Sequence, residues 1–439
     1  MNQRYKVKNV FMFDAGSRRY ALLGGVFLFR ILLDLSYVFI ISPLFSYSGL
    51  ILNISPVKVI ESYGAMLLLG FFIPCEVKKP SDFLVGMLFL LSTVPTLSFY
   101  AMAGESRRFL YMMLAGFLCV LLGRKIPFFK LGNYYFKDGY KYALGGALFF
   151  TVFVLYWLLH QGAWRYFNLD LTRVYEFREE VGGTINIGVF SYLNTWVFKV
   201  FNMALISWAL YKKNRSLLIS FLILQIIFFA ISSHKSVLFY PLVVFVLNKF
   251  FYKKRVVNSA VLIMAGVIFA SGMAYFLSGD FLAESLFVRR MFFVPAFLNF
   301  IYYDFFSQAG FVYMSNGLLG SIIDYPFTYS PIEMISYALL GHTDMNPNNG
   351  FLATAYMHFG MFGVIIFSLI VGWLMKIVDV LIRARLPIWF GLSLVIVPFV
   401  SLLTSADLST ALLTHGLAVS LIILWLFAIS RPVNWDLKN

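Results

Sequence analysis

Runs of about twenty consecutive apolar residues recur along the whole of this chain, and they restrict its fold more than any other feature. A run of that length is what an α-helix needs to cross a hydrocarbon core about 30 Å thick. Inside a bilayer every backbone polar group must be satisfied internally, so only helices and closed barrels cross it. The apolar residues here come in unbroken runs and do not alternate, which excludes a transmembrane β-barrel. Twelve candidate spans follow, at 20–42, 58–75, 83–103, 108–123, 142–160, 190–211, 216–232, 236–252, 256–278, 351–376, 387–403 and 410–430. Composition agrees. The 439 residues are 61% hydrophobic and 13% charged, against about 45–50% and about 25% in a soluble domain. A collagen, a disordered tail and a disulfide scaffold are excluded by the same figures. Cys75 and Cys119 lie in apolar stretches and point to neither a metal site nor a disulfide framework. The expected fold is an all-α integral membrane protein, one polytopic domain over 1–439. No small-residue cleavage site follows the N-terminal flank, so the first span is expected to stay in the bilayer.

The net charge is +15. In a soluble protein that would point to nucleic acid. In a multi-pass protein it reflects basic cytoplasmic loops, and no nucleic-acid partner is expected. Counted on alternate sides of the spans, 24 Lys and Arg fall in one set of loops and nine in the other. That bias places both termini in the cytoplasm and agrees with an even number of spans. Two exterior loops are long, 161–189 and 279–350, and loops longer than about 12–15 residues are usually functional or disordered. The second contains apolar pieces, Met291–Phe306 and Leu318–Tyr325, suited to lie along the membrane surface or dip into it. There is no internal repeat of the kind many transporters carry.

The exterior loops also hold the candidate chemistry. Arg173, Arg178, Glu179 and Glu180 precede a Gly182-Gly183 pair in the first. Guanidinium forks match phosphate oxygens, although Arg173 and Glu176 would also pair at i, i+3 on a helix. In the junction ISSHKSVLFYP, His234 and Lys235 stand at the exterior membrane face. Lys235 reads as a snorkelling lysine or as a cation facing a lipid-linked phosphate. Arg289 and Arg290 open an apolar run, as a pyrophosphate pair or as headgroup anchors. Asp304, His342 and Asp344 follow, and then Asn348 and Asn349 before the tenth span, suited to a sugar or to a helix N-cap. Gly360 and Gly363 would let another helix pack closely. Within the spans, Arg30 and Asp34 are spaced i, i+4 as a buried pair. Lys199 with Asn194 and Asn202 makes a polar stripe, and Asp407 and His415 flank or enter the last span. The histidines are too few and scattered for a zinc site, and no nucleotide or dinucleotide fingerprint is present.

These features together resemble the bacterial O-antigen and oligosaccharide repeat-unit polymerases, the Wzy type, and their relatives the O-antigen ligases. The likeness rests on four elements. About twelve spans have cytoplasmic ends, and two large periplasmic loops carry Arg clusters. The Ser-Ser-His-Lys-Ser junction stands where ligases have a Ser-Arg-type motif. Asn349 and Gly350 are followed after nine residues by Gly360 and Gly363, the ligase spacing with Asn in place of His. That replacement leans towards polymerase. Arg173 and Gly183 also match the Arg and Gly, ten apart, of polymerase loops. The likeness covers the chain from about residue 140 onward.

The resemblance implies a metal-independent, cofactor-free glycosyltransferase of the GT-C class in the bacterial inner membrane, with a periplasmic active site. It would transfer a growing glycan from undecaprenyl pyrophosphate to the non-reducing-end hydroxyl of a lipid-linked repeat unit. Implied partners are both lipid-linked oligosaccharides, membrane lipid, a chain-length regulator and a flippase. Arg173, Arg178, Lys235, Arg289 and Arg290 would hold the pyrophosphate. Glu179, Glu180, Asp304 and His342 are the base candidates, and His234, Asn348 and Asn349 would bind substrate. The alternatives are an O-antigen ligase and a flippase or other transporter of lipid-linked oligosaccharide.

Overall fold

The structure, a computed structural model, describes residues 3–128, 135–170, 188–232, 234–251, 256–317, 319–343, 345–383 and 385–430, with 3–17 as backbone only. Among these residues there are helices and no strand. In chain order they are α1 (Arg18–Ser48), α2 (Pro56–Gly70), α3 (Pro80–Ala103), α4 (Arg107–Gly123), α5 (Gly139–His160), α6 (Val189–Tyr211), α7 (Arg215–Ser232), α8 (Lys235–Phe250), α9 (Val256–Ser278), α10 (Glu284–Ala309), α11 (Pro331–Leu340), α12 (Phe351–Ile382), α13 (Ile388–Thr404), α14 (Leu408–Leu412) and α15 (Leu417–Ile429). Eight of these, α1, α3, α5, α6, α7, α9, α10 and α12, are long and apolar enough to cross a membrane. The chain is a multi-pass helical membrane protein.

The other expected spans form shorter helices. Those at 58–75, 108–123, 236–252 and 387–403 appear as α2, α4, α8 and α13, of 15, 17, 16 and 17 residues. At 1.5 Å per residue each is about 25 Å or less. The run at 410–430 is divided at Gly416, which adopts φ +76° and sits against the Trp196 ring. The apolar run within 279–350 belongs to α10, which has 26 residues.

The helices pack as two compact units. The first comprises Met1–Ile126, Lys254–Leu374 and Leu403–Asp407; the second comprises Pro127–Lys253, Met375–Leu402 and Leu408–Asn439. In the first unit α3 is the central element, buried along its whole length. Pro80 starts it, and the Asp82 carboxylate accepts from the backbone N–H groups of Lys78 and Lys79, at 3.1 and 3.0 Å. Asp82 also pairs with Arg124 at 2.5 Å, so a charge-assisted cap closes this end of α3. Against α3, Arg30 of α1 is fully buried. It donates to Asp34 at 2.8 Å, to Ser62 at 3.0 Å and to the Leu97 carbonyl at 3.2 Å, and lies over the Tyr63 ring. The pairing expected from the i, i+4 spacing is therefore present, and α2 and α3 complete it. These partners offset much of the cost of burying the ion, while its Nη1 has no hydrogen-bond partner among the described residues.

Small residues set the closest approaches. A Cβ on Gly123 of α4 would stand 2.3 Å from the Leu369 carbonyl, and one on Gly372 of α12 would stand 2.2 Å from the Val120 carbonyl. The two backbones touch there, as small residues permit. In the second unit, aromatic rings of α6, α13 and α15 meet at Trp208, Phe390 and Phe427, with centroids 5.1–6.4 Å apart. The polar stripe on α6 is used internally: Asn202 donates to Gln225 at 2.6 Å, and Lys199 lies 2.8 Å from His415 Nδ1 and 3.2 Å from Ser401.

Candidate functional site

In the first unit, α10 carries three of the described candidates, Arg289, Arg290 and Asp304. Its start is held by Glu284, fully buried, which accepts from Ser36 at 2.9 Å and Ser271 at 3.2 Å. Arg289 lies 4.1 Å over the Phe45 ring at the end of α1, and Arg290 beside it is exposed. The other end of α10 places Tyr303 against Phe109 of α4, 5.7 Å between ring centroids. Arg289 and Asp304 are separated by about 20 Å along the helix.

Around Asp304 a charged cluster forms that the sequence reading did not assemble. α3 ends at Gly104, in the left-handed region at φ +72°, and the next residue is Glu105. Burial and the neighbouring Asp304 carboxylate push the Glu105 carboxyl up from its ordinary 4.5 to about 7; Lys58 and the Ser106 N–H act the other way. Lys58 donates to the carbonyls of Gly104 and Glu105 at 2.5 and 2.7 Å, which pins the turn from α2. Glu61, one turn further along α2, is bound by Arg107 at 3.0 Å and by the Tyr100 hydroxyl at 2.5 Å. Arg108 is exposed and has no partner among the described residues. Asp304 is exposed, and beside it Tyr303 packs on Tyr356 of α12 at 4.9 Å. The arrangement is three carboxylates (Glu61, Glu105 and Asp304), three cations (Lys58, Arg107 and Arg108) and tyrosine rings at one end of the helices. A carboxyl raised towards neutral pH is what a general base requires.

The segment before α12 is tied to the same helix. The Tyr302 hydroxyl donates to the Pro347 carbonyl at 3.0 Å. Asn349 donates to Asn299 of α10 at 3.0 Å and accepts from the Gly350 N–H at 2.8 Å; Asn299 in turn donates to Thr96 at 3.0 Å. Asn349 is buried and engaged at both ends of its amide, while Asn348 next to it is exposed. Of the two asparagines, Asn348 has the open side chain. His342 is exposed in the turn after α11.

Beyond Tyr356, α12 is broken. Phe359 (φ −143°, ψ 22°) and Gly360 (φ 59°, ψ −143°) leave the helical region. The carbonyls released by the break, Met357 and His358, accept from the N–H groups of Val312 and Tyr313 at 3.0 and 3.1 Å. Tyr313 and Met314 both adopt positive φ to do so, at 55° and 56°. Non-helical backbone is tolerated at membrane depth when protein buries and satisfies it. His358, 2% exposed, accepts from the Met314 N–H at Nδ1 and has its Nε2 3.5 Å from Asp407. Gly360 and Gly363 were expected to admit a neighbouring helix. Gly360 is instead required by its left-handed φ, with the Phe311 ring 2.7 Å from where its Cβ would be, and Gly363 closes on Ala355 of its own helix.

Lys235 and His234 belong to the second unit. Both are half-buried, Lys235 as the first residue of α8 and His234 as its N-cap. Arg173, Arg178, Glu179 and Glu180 lie outside the described residues, as does Asp344. The signal for Glu105 was present in the sequence: Gly-Glu-Ser-Arg-Arg is a very short turn between two apolar runs and carries charges of both signs. Among the described residues no three His, Cys, Asp or Glu side chains gather as a metal ion would need. No protein-family model, curated protein or solved structure matches the chain.

Proposed function

We propose that this protein is an oligosaccharide repeat-unit polymerase of the O-antigen type. It would be a twelve-span GT-C-like glycosyltransferase of a bacterial inner membrane with its active site at the periplasmic face. The observation that carries the reading is the Glu105 carboxyl, held at about 7 beside Asp304 at the end of α3. A general base is most effective when its pKa is near the working pH. Glu105 would take the proton of the acceptor hydroxyl as that oxygen bonds to the donor's anomeric carbon. The bond from that carbon to the pyrophosphate oxygen breaks, and its electron pair leaves with undecaprenyl pyrophosphate. Negative charge grows on the leaving group, and fixed cations stabilise it, often the largest single contribution to such a reaction. Arg108, with no partner among the described residues, joins Arg289 and Arg290 as candidates in this unit. Asn348, which is exposed, offers an amide to sugars. No metal or other cofactor is invoked.

The test is the ladder of surface glycan made by a deletion strain complemented with variants. Glu105→Gln and Asp304→Asn should each collapse the ladder to core plus one repeat unit while the protein remains inserted. Arg108→Ala, Arg289→Ala, Arg290→Ala, Arg173→Ala, Arg178→Ala and Lys235→Ala should shorten it. Full-length ladders from both carboxylate variants would refute the reading.

One observation favours a second reading, a transporter of lipid-linked oligosaccharide. Broken helices that carry buried ionisable groups are frequent in transporters, and α12 is broken beside the His358–Asp407 pair. Loss of a flippase leaves core alone, so His358→Asn separates the two.

A further inference from the structure

The second unit has a cavity of about 590 Å³ where α6 ends and α7 begins. Lys212, Lys213 and Arg215 line it, with Asn214, Asn248 of α8 and Trp389 of α13. No carboxylate contributes to its lining. Among the described residues none of the three cations is in an ion pair with an acid. The Lys212 ammonium is instead 4.8 Å from the centroid of the Trp208 ring and 5.6 Å from that of Tyr211. Three like charges held together without counter-charges repel one another, and an anion between them removes that repulsion.

The backbone points the same way. α6 ends with Lys213 in the left-handed region, at φ +54°. Its N–H bonds the Leu210 carbonyl at 3.1 Å, and the Asn214 N–H bonds that of Ala209 at 3.0 Å. That is a helix ending at which glycine is the usual residue, because a side chain there is strained. The chain has a lysine at this position, and strain retained in this way accompanies function. Asn214 then caps α7, accepting from the Leu217 N–H at 3.1 Å. The positive end of an 18-residue helix therefore opens on the same cavity. Pro387, Leu218 and Trp389 supply an apolar wall. The basic-residue count assigns this turn to the cytoplasmic side, where anionic lipids attract clustered Lys and Arg.

We propose that this cavity binds the phosphate headgroup of an anionic membrane lipid in the cytoplasmic leaflet. Lys212, Lys213, Arg215 and the first N–H groups of α7 hold the phosphate, and Trp389 and Leu218 face the glycerol and first methylenes. The site is independent of the polymerase reading, because none of its residues belongs to the cluster proposed for glycan transfer.

The experiment is a binding titration on the purified full-length protein in detergent. The ligands are dioctanoyl phosphatidylglycerol, the matching phosphatidylcholine and inorganic phosphate. The wild type should bind phosphatidylglycerol well ahead of the other two, and added salt should weaken that binding. Lys212→Gln, Lys213→Gln and Arg215→Gln together should weaken it about a hundredfold, roughly fivefold per charge near a headgroup, with phosphatidylcholine unchanged. Lys213→Gly guards against misfolding, since it removes one charge while relieving the backbone; it should still lose about fivefold. Equal binding of the two lipids by the wild type, or no loss in Lys213→Gly, would overturn the proposal. Inorganic phosphate binding as tightly as phosphatidylglycerol would overturn the lipid as its source. Each readout is lipid affinity, so none depends on glycan synthesis.

Discussion

Replacing Glu105 with Gln removes a carboxyl whose protonation is linked to folding. In the unfolded chain this group ionises near 4.5, and in the native protein near 7. Below about pH 4.5 it is protonated in both states and has no effect. Between the two values the unfolded state has lost the proton and the native state has kept it, so native stability falls as pH rises. Above about pH 7 both states are ionised and the loss is constant. The full difference corresponds to about 3 kcal/mol at 1.36 kcal/mol per pH unit. Because Glu105 is half-buried, solvent screening makes that figure a ceiling. Gln has nearly the same shape and carries no charge. Glu105→Gln should therefore match the wild type near pH 4 and exceed it increasingly up to about pH 7, by about 1–3 kcal/mol at the plateau. Thermal unfolding of both proteins in detergent from pH 4 to 8.5 measures this. A difference that stays constant with pH, or a variant less stable than wild type at pH 8, would refute a carboxyl raised by burial and Asp304.

Asp304→Asn takes away the negative neighbour, so the pH at which Glu105 ionises should fall; carboxyl infrared absorption across a pH series, with Glu105→Gln as reference, reads it. Gly360→Ala should cost at least about 2 kcal/mol, since it adds a Cβ against Phe311 at a residue fixed at φ 59°, and thermal unfolding tests it. Asn349→Ala should cost about 1–3 kcal/mol, because it leaves Asn299 and the Gly350 N–H without their buried partner. Asn348→Ala should change unfolding by less than about 0.5 kcal/mol while altering the glycan ladder.

What the sequence made readable was whatever repeats locally. The long apolar runs announced a helical membrane protein, and the i, i+4 spacing announced Arg30 and Asp34, because both depend on residues within a few turns of each other. Span lengths were less readable. Hydropathy does not register that Gly416 adopts a left-handed φ and ends one helix before the next begins. The candidate site was less readable still. Glu105 and Asp304 sit on different helices far apart in sequence, and His358 meets Asp407 only because α12 breaks after it. Asn349 was legible as a polar residue before a span; its engagement with Asn299 depends on where α10 packs. The Gly360–Gly363 spacing was visible, and its cause lay in the backbone of α12 itself rather than in a neighbouring helix.

The first unit is assembled from separated stretches, Met1–Ile126 and Lys254–Leu374. During synthesis, Ser36 leaves the ribosome 248 residues ahead of its hydrogen-bond partner Glu284. At about 5–20 residues per second, the early helices wait some 12–50 seconds for that partner. Throughout the interval the Ser36 hydroxyl lacks the carboxylate that it finally bonds. The Arg30–Asp34 pair, by contrast, closes within α1, α2 and α3 alone and needs none of the later helices.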